Sequence, residues 1–306
     1  SYQLVVRHGH EYDGQVTDVD VQAGQQTEVE VQLTRSVDTD GWISADFHQH
    51  MEPSLDSTAW VERRVEENVA MGVEFAVPTD HEAVTNLEPV IERLGYQDEL
   101  GTFPGVEISP VETHIGLYPM RYDPTLRGFG TVPLAIMGED GPIRREIPEL
   151  AAEARTLEAD PIVQLNHARR DTSGMLELVN FDPTLGPEAI NDTRFLSDFD
   201  TMEIINEYDD ICQLFADWSG FLNYGHRATG VGNSDEHGLS GNTGRARNFL
   251  MIDKQVADVT ESDIRQALHE HRVTLGSNGF IHFTGGTQPG AVVDARRVAG
   301  RDLAAL

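Results

Sequence analysis

The 306-residue chain has a single cysteine, Cys212, and a single lysine, Lys254. One thiol excludes an internal disulfide and any cysteine-cluster metal site, so a bound metal would have to be held by His, Asp or Glu. Positive charge is scarce throughout: 22 Lys+Arg stand against 52 Asp+Glu, a formal charge of -30. Nucleic acid and anionic membrane both need a basic face, so neither is an expected partner. The acid excess reads as a solvated surface or an adaptation to high salt. Long apolar runs are missing too. None approaches the ~20 residues of a membrane helix, and no charged, apolar and cleavage-site pattern opens the chain. The protein is therefore expected to be soluble without membrane insertion. Its compartment is left open, with an extracytoplasmic location as one alternative.

Length and composition, 39% hydrophobic and 24% charged, suit one large α/β domain or two smaller ones. Residues 1–40 read as an antiparallel β segment. In "VTDVDVQAGQQTEVEVQL", Val29, Val31 and Leu33 alternate with polar residues, and Ala23-Gly24 supplies a turn. Two or three strands cannot bury a core alone. The segment, opening at Ser1 already in strand-like sequence, is thus expected to be the end of a preceding β domain or a cap packed on the residues after it. From Gly41 the texture becomes short apolar runs between helical segments, implying a parallel sheet. Val61, Val65 and Val69 have helical spacing, Pro148 suits a first helical turn, and Thr260 with Asp263 forms a possible capping box. The Gly/Pro-rich stretch 128–145 reads as an irregular insertion, and 286–306 as a C-terminal tail.

Each apolar run ends in an acid or a histidine: "ISADFHQH", "VEFAVPTDHE", "GTFPGVEIS", "PIVQLNHAR", "FDTMEIINEYDD" and "ATGVGNSDEHG". In parallel α/β folds the C-terminal strand ends form one rim, where sites are assembled. That rim would collect His48, His50, Asp80, His81, Glu107, His167, Asp235 and His237, with His114 arriving on "ETHIGLYP". The chain holds 12 histidines and three H-x-H pairs. On a strand, residues i and i+2 point the same way, so His48 and His50 can share an ion. In a helix they diverge by about 200°, so His269 and His271 cannot. His8 and His10 lie in another segment with no acidic ligand cluster nearby.

In this order, "DFHQH", "TDHE", "GVEIS", "ETHIGLYP", "LNHAR" and "GNSDEHG" resemble the PHP (polymerase and histidinol phosphatase) superfamily, and within it the carbaryl-hydrolase (CehA/McbA-like) branch, over about residues 41–285. The resemblance implies a distorted seven-stranded (β/α) barrel holding two or three divalent ions. By it, His48 and His50 would bind a first ion with Glu107 and Asp235. Glu107 would bridge to a second held by His114 and His167, and His81 and His237 would hold a third. Asp56 stands where relatives place a further ligand, but "SLDS" departs from the usual motif, and helix N-capping is its alternative use. Asp80 is read as orienting the His81 loop through hydrogen bonds.

Imidazoles and carboxylates suit Zn, Mn or Fe equally. Three such ions, three carboxylates and a bridging hydroxide would leave about +2 at the mouth. The chemistry expected is metal-assisted hydrolysis of a small molecule, with the hydroxide as nucleophile and His81, Glu107, Asp235 and His237 as the catalytic groups. Arg169, Arg245 and Arg247 are candidates to hold substrate anions, against a use in surface ion pairs. A phosphoesterase is the leading expectation. A carbamate, amide or ester hydrolase and a non-catalytic, metal-stabilised binding module are the alternatives.

Overall fold

A computed structural model describes residues 1–110, 112–157, 159–206, 210–277 and 280, so the expected tail at 286–306 lies outside the described residues. The chain runs β1 (Tyr2–Val6), β2 (Gln15–Val19), β3 (Trp42–Gln49), α1 (Val61–Ala70), β4 (Phe75–Pro78), α2 (Glu88–Leu94), β5 (Gly101–Thr102), β6 (Val106–Ile108) and β7 (Ile115–Tyr118). It continues through β8 (Ala135–Gly138), β9 (Gly141–Arg144), α3 (Ile147–Ala154), β10 (Ile162–Leu165), α4 (Met175–Leu178) and β11 (Thr201–Ile205). The last elements are α5 (Ile211–Asn223), β12 (Thr229–Gly232), β13 (Arg247–Met251), α6 (Glu261–His269) and β14 (Val273–Gly276). Among the described residues no helix is long and apolar enough to cross a membrane.

The main strands form two five-stranded sheets, β12-β11-β10-β7-β6 and β14-β13-β3-β4-β5, rather than one closed ladder. Single bridges join them: Gln49 pairs with Glu236, and His81 with Glu107. The sheets are mixed, which differs from the parallel sheet expected. β3-β4-β5 and β10-β11-β12 are parallel, but β7 runs against β6 and β10, and β13 against β3. The reversal of β7 follows from its short connection to β6, which leaves no room for a crossover helix.

The helices follow their sequence signals. Val65 of α1 is buried, with Val61 and Val69 packed beside it on Met51, Leu87 and Ile91. Pro148 sits in the first turn of α3, and Thr260 and Asp263 form the capping box of α6. Elsewhere the expectations need correction. Only Tyr2–Val6 and Gln15–Val19 of the N-terminal segment pair as strands. The alternation at Val29, Val31 and Leu33 forms no strand, since among the described residues the only nearby pairing is the Tyr12–Arg35 bridge. The stretch 128–145 contains the β8-β9 hairpin, where Pro142 is tolerated because no third strand needs its missing N–H. His271 lies beyond the end of α6 at φ 56°, with Nδ1 2.6 Å from Thr229 Oγ1, so His269 and His271 do not share a helix as expected.

Residues 8–11 dock onto the mixed sheets. Gly9 has φ +63°, and a Cβ there would stand 2.7 Å from the Met71 carbonyl oxygen, so only glycine permits this approach. Glu11, only 6% exposed, lies 4.0 Å from the buried Arg247 guanidinium.

Candidate metal centre

β3 is buried along its whole length, and its period of two puts Ile43, Ala45 and Phe47 on one side and Ser44, Asp46 and His48 on the other. His50, just past its end, keeps the direction of His48, and the two Nε2 atoms lie 3.1 Å apart. The loops after β4, β10 and β12 bring His81, His167, and Asp235 with His237; β6 carries Glu107 within its own length. His114 comes from the start of β7, which reaches the same rim because that strand is antiparallel. His167 and Asp235 are held at φ 29° and 50°, a backbone region most side chains avoid and one met most often at functional sites.

All nine residues expected as ligands come together. Four groups, His48/His50/Glu107, His48/His167/Asp235, His81/Glu107/His114 and His50/Asp56/His81/His237, each offer ligand atoms within 4.8 Å of one another. Glu107 is shared, with Oε1 3.3 Å from the ring nitrogens of His48, His114 and His167, and Oε2 3.1 Å from His81 Nδ1. Asp235 Oδ1 lies 3.2 Å from Nε2 of both His48 and His50. Asp56 Oδ2 is 3.1 Å from His81 Nε2 and 3.3 Å from His237 Nε2. It does not cap α1, whose N-cap position is Trp60. His167 groups with His48 and Asp235, and its Nε2 also lies 3.3 Å from the Glu107 oxygen that stands 3.3 Å from His114 Nδ1.

The surroundings of these donors fit metal ions. His48 Nδ1 donates to Glu203 Oε1 at 2.8 Å and His237 Nδ1 to the Asp235 carbonyl at 2.8 Å. Both partners only accept, so the proton sits on Nδ1 and the Nε2 lone pair is turned to the cluster. Glu107 Oε2 and Asp235 Oδ1 are buried without a hydrogen-bond partner, a costly state unless a cation completes it. Burial raises the carboxyls of Glu107 and Asp235, but His48 and neighbouring imidazoles outweigh it and hold both well below the usual range. Burial disfavours charge on His48, yet Asp235, Glu203 and Glu107 raise it well above an ordinary histidine. The site thus favours a cation at His48 Nε2. His50, by contrast, is lowered by burial to about 4 and stays a neutral donor.

Asp80 holds the rim loops in place. Its Oδ1 accepts from the Met51 N–H at 2.6 Å and its Oδ2 accepts from the Thr85 hydroxyl, while burial pushes its carboxyl up to about 7.

Two of the three expected anion-holding arginines lie elsewhere. Arg169 Nε and Nη2 grip Asp217 of α5 at 2.7 and 2.8 Å. Arg247 is fully buried and bonds the carbonyls of Met71, Gly72 and Gly244. Both sit where a carboxylate or bare carbonyls demanded a cation, and a forked donor answers either need. Arg245 is exposed at the rim, lining a cavity of about 200 Å³.

Sequence reasoning passed over Arg170, whose Nη1 donates to Asp235 Oδ2 at 2.9 Å and Nη2 to Asn206 Oδ1 at 3.0 Å, leaving Asp235 Oδ1 for the cluster. It also missed Glu203, Asn166 and Arg64. Asn166 Nδ2 donates to Glu107 Oε1 at 2.7 Å, and the buried Arg64 Nη2 joins the carbonyls of His50 and Glu236 at 3.1 and 2.9 Å. The signal available for Glu203 was a lone acid flanked by Met202 and Ile204 inside a strand.

No protein-family model matches the chain, and no curated protein matches it. Among solved structures it is similar to the lesion-specific endonuclease PfuEndoQ from Pyrococcus furiosus, at 17% identity and a TM-score of 0.48, over 74% of this chain and 56% of that one. A protein provisionally described as a metal-dependent phosphoesterase, from Bifidobacterium adolescentis, gives 16% identity and a TM-score of 0.41, over 73% and 95% of the two chains. An amidohydrolase from Chromobacterium violaceum gives 13% and 0.43, over 65% and 89%. The match therefore spans little more than half of the endonuclease. At these values the functional reading rests on the geometry of the site itself.

Proposed function

We infer that the chain is a metal-dependent hydrolase and, more narrowly, a phosphoesterase acting on a small phosphoester. The observation that carries this reading is the convergence of six imidazoles and three carboxylates in four overlapping groups with donor atoms within 4.8 Å. His48, His50, His167, Glu107 and Asp235 would hold ions at the buried end, His81 and His114 would share Glu107, and Asp56 with His237 would complete the outer position. Zn, Mn or Fe all suit these donors. Bound there, such ions supply acidified water at neutral pH and polarise the oxygen of the group attacked.

The chain's own residues do the rest. Glu203 and Asn166 orient His48 and Glu107, and Arg170 with Asn206 holds one oxygen of Asp235 so that the other faces the cluster. Asp56, His237 and Arg170 have the most exposed side chains at the site, at 52%, 32% and 29%, so substrate enters on their side. Several cation positions side by side complement the multiple anionic oxygens of a phosphoryl group better than a single acyl oxygen, which supports the phosphoester reading. The strands β3, β4, β6, β7, β10, β11 and β12, joined through the Gln49–Glu236 and His81–Glu107 bridges, support reading the two sheets as one distorted seven-stranded barrel of the PHP kind. A net charge of -30 supports a small-molecule substrate rather than nucleic acid.

The test is reconstitution of chelator-stripped protein with Zn, Mn or Fe, followed by assay on nitrophenyl phosphate and its diester. Turnover should require metal and be lost in Glu107→Gln and His48→Ala. Metal-loaded protein that hydrolyses aryl carbamates and no phosphoester would move the reading to acyl substrates. Metal-loaded protein inert to both would indicate a non-catalytic module.

A further inference from the structure

One row of residues crosses three neighbouring strands and ends at the cluster. Glu107 of β6 pairs with Gly116 of β7, and Gly116 pairs with Gln164 of β10. Gly116 contributes no side chain, and a Cβ there would stand 3.3 Å from Asn166 Oδ1 and 3.5 Å from Gln164 Nε2. The space beside this glycine is thus where two amides lie. Asn166 Nδ2 donates to Glu107 Oε1 at 2.7 Å, Gln164 Nε2 donates to Asn166 Oδ1 at 2.8 Å, and the Tyr118 hydroxyl donates to Gln164 Oε1 at 2.7 Å. Tyr118, Gln164, Asn166 and Glu107 are all buried.

The direction of every bond in this chain is dictated from its Glu107 end. Burial opposes charge on Glu107, but the imidazoles around it hold it as a carboxylate, and a carboxylate only accepts hydrogen bonds. Asn166 must therefore present its NH2 group, which leaves its Oδ1 to accept. Gln164 must in turn present Nε2 to that oxygen, and its own Oε1 is left for a donor. Tyr118 supplies it, with the Thr201 hydroxyl 3.5 Å from the same oxygen. Turning over either amide alone would set two acceptors or two donors face to face, a costly arrangement where no water enters.

We propose that Gln164 is a positioning residue for the metal centre: through Asn166 it fixes how the shared carboxylate of Glu107 presents its oxygens, and Tyr118 anchors Gln164 in the orientation this requires. Glu107 Oε1 stands 3.3 Å from ring nitrogens of His48, His114 and His167. A small rotation of the carboxylate therefore alters its place among three ligands at once. Without Gln164, Asn166 Oδ1 becomes a buried acceptor lacking its donor, and the amide relieves this by rotating away from Glu107. The inference rests on the metal-binding reading above and is independent of which ester is cleaved.

The experiment is a double-mutant cycle read by metal affinity. Chelator-stripped wild type, Gln164→Met, Asn166→Leu and the double variant are titrated with Zn against a chromogenic chelator, and urea unfolding is followed on the metal-free forms. Methionine keeps the length of Gln164 and removes both its donor and its acceptor. Gln164→Met should weaken Zn binding by roughly 5-fold or more, one step removed from the 10–100-fold typical of a group that bonds a ligand directly. In the Asn166→Leu background the same substitution should change affinity by less than about 2-fold, because the link to Glu107 is already gone. A side chain that only packs would lower the urea midpoint with Zn affinity unchanged, or cost the same affinity in both backgrounds, and either result overturns the proposal. If Gln164→Met does not fold, Tyr118→Phe, which removes one oxygen, decides. It should weaken Zn binding in the wild-type background, by a smaller factor because Thr201 also reaches Gln164, and leave it unchanged beside Asn166→Leu; any other pattern overturns the proposal. Wild type that takes up no Zn, Mn or Fe overturns the metal-binding reading and this proposal together, whereas wild type that binds no more tightly than Gln164→Met overturns this proposal alone.

Discussion

His48 Nδ1 and Glu203 Oε1 lie 2.8 Å apart with both side chains at 0% exposure, a buried carboxylate fixing the tautomer of a histidine whose other nitrogen faces the cluster. The same carboxylate accepts from the His167 N–H at 2.6 Å and from Asn233 Nδ2 at 3.0 Å, so it also sets the backbone of a second cluster residue. Glu203→Gln keeps the volume but removes the charge and can leave His48 with the wrong nitrogen protonated. The expected outcome is metal affinity lower by about 10–100-fold, with near-native circular dichroism. Competition against a chromogenic chelator measures it, and unchanged affinity would show that Glu203 does not position His48.

Asp80 gives stability a pH dependence that can be signed. Its folded-state carboxyl is raised by burial to about 7 against an ordinary 3.8, so between these values the folded chain holds a proton that the unfolded chain has released. This contribution is complete below the lower value and is lost as pH rises through the upper one. Asn at this position keeps an acceptor for Met51 N–H and can donate to the Thr85 hydroxyl. In chelated protein, urea unfolding between pH 5 and 8 should therefore show Asp80→Asn gaining about 2–3 kcal/mol relative to wild type, taking 1.36 kcal/mol per pKa unit. Parallel pH profiles for the two proteins would refute a buried, proton-holding Asp80.

Arg169 separates a structural role from a substrate-binding one. It grips Asp217, which has 0% side-chain exposure, and its Nη2 also caps the Phe181 carbonyl at 2.6 Å. Arg169→Gln strands a buried carboxylate, and breaking such a pair costs about 3–5 kcal/mol. Denaturant midpoints should fall accordingly, while KM for any phosphoester substrate stays within twofold of wild type. A raised KM with unchanged stability would return Arg169 to the site.

The strand-end positions of His48, His50, His81, Glu107, His167, Asp235 and His237 were legible in the sequence because strand periodicity and a terminal polar residue are both local signals. His114 was legible by its motif rather than its strand, since an antiparallel β7 is a property of the sheet. What stayed hidden depends on three-dimensional neighbours. Arg169 and Arg170 are adjacent in sequence, and nothing local says that the first turns to Asp217 and the second to Asp235. Arg247 looked like a rim residue by its place after "GNSDEHG", yet the start of β13 turns its side chain inward to the Met71 and Gly72 carbonyls. The strand pattern at Val29 to Leu33 failed for the complementary reason: alternation marks a face that could pack, and among the described residues no sheet receives it.

Asp56 would decide how many ions the centre can hold. It is the most exposed of the nine, with a side chain 52% exposed, and its Oδ2 closes the group formed with His50, His81 and His237. His81 and His50 also belong to groups containing Glu107, whereas Asp56 and His237 serve this outer group only. Removing the carboxylate should therefore empty the outer position selectively. Asp56→Ala is expected to carry one ion fewer per chain than wild type by elemental analysis after gel filtration, with the remaining ions released by chelator at wild-type rates. His237→Ala should give the same stoichiometry, and the double variant no further loss. An unchanged metal count in Asp56→Ala would mean that the outer group holds no ion, and loss of every ion would mean that the positions fill only together.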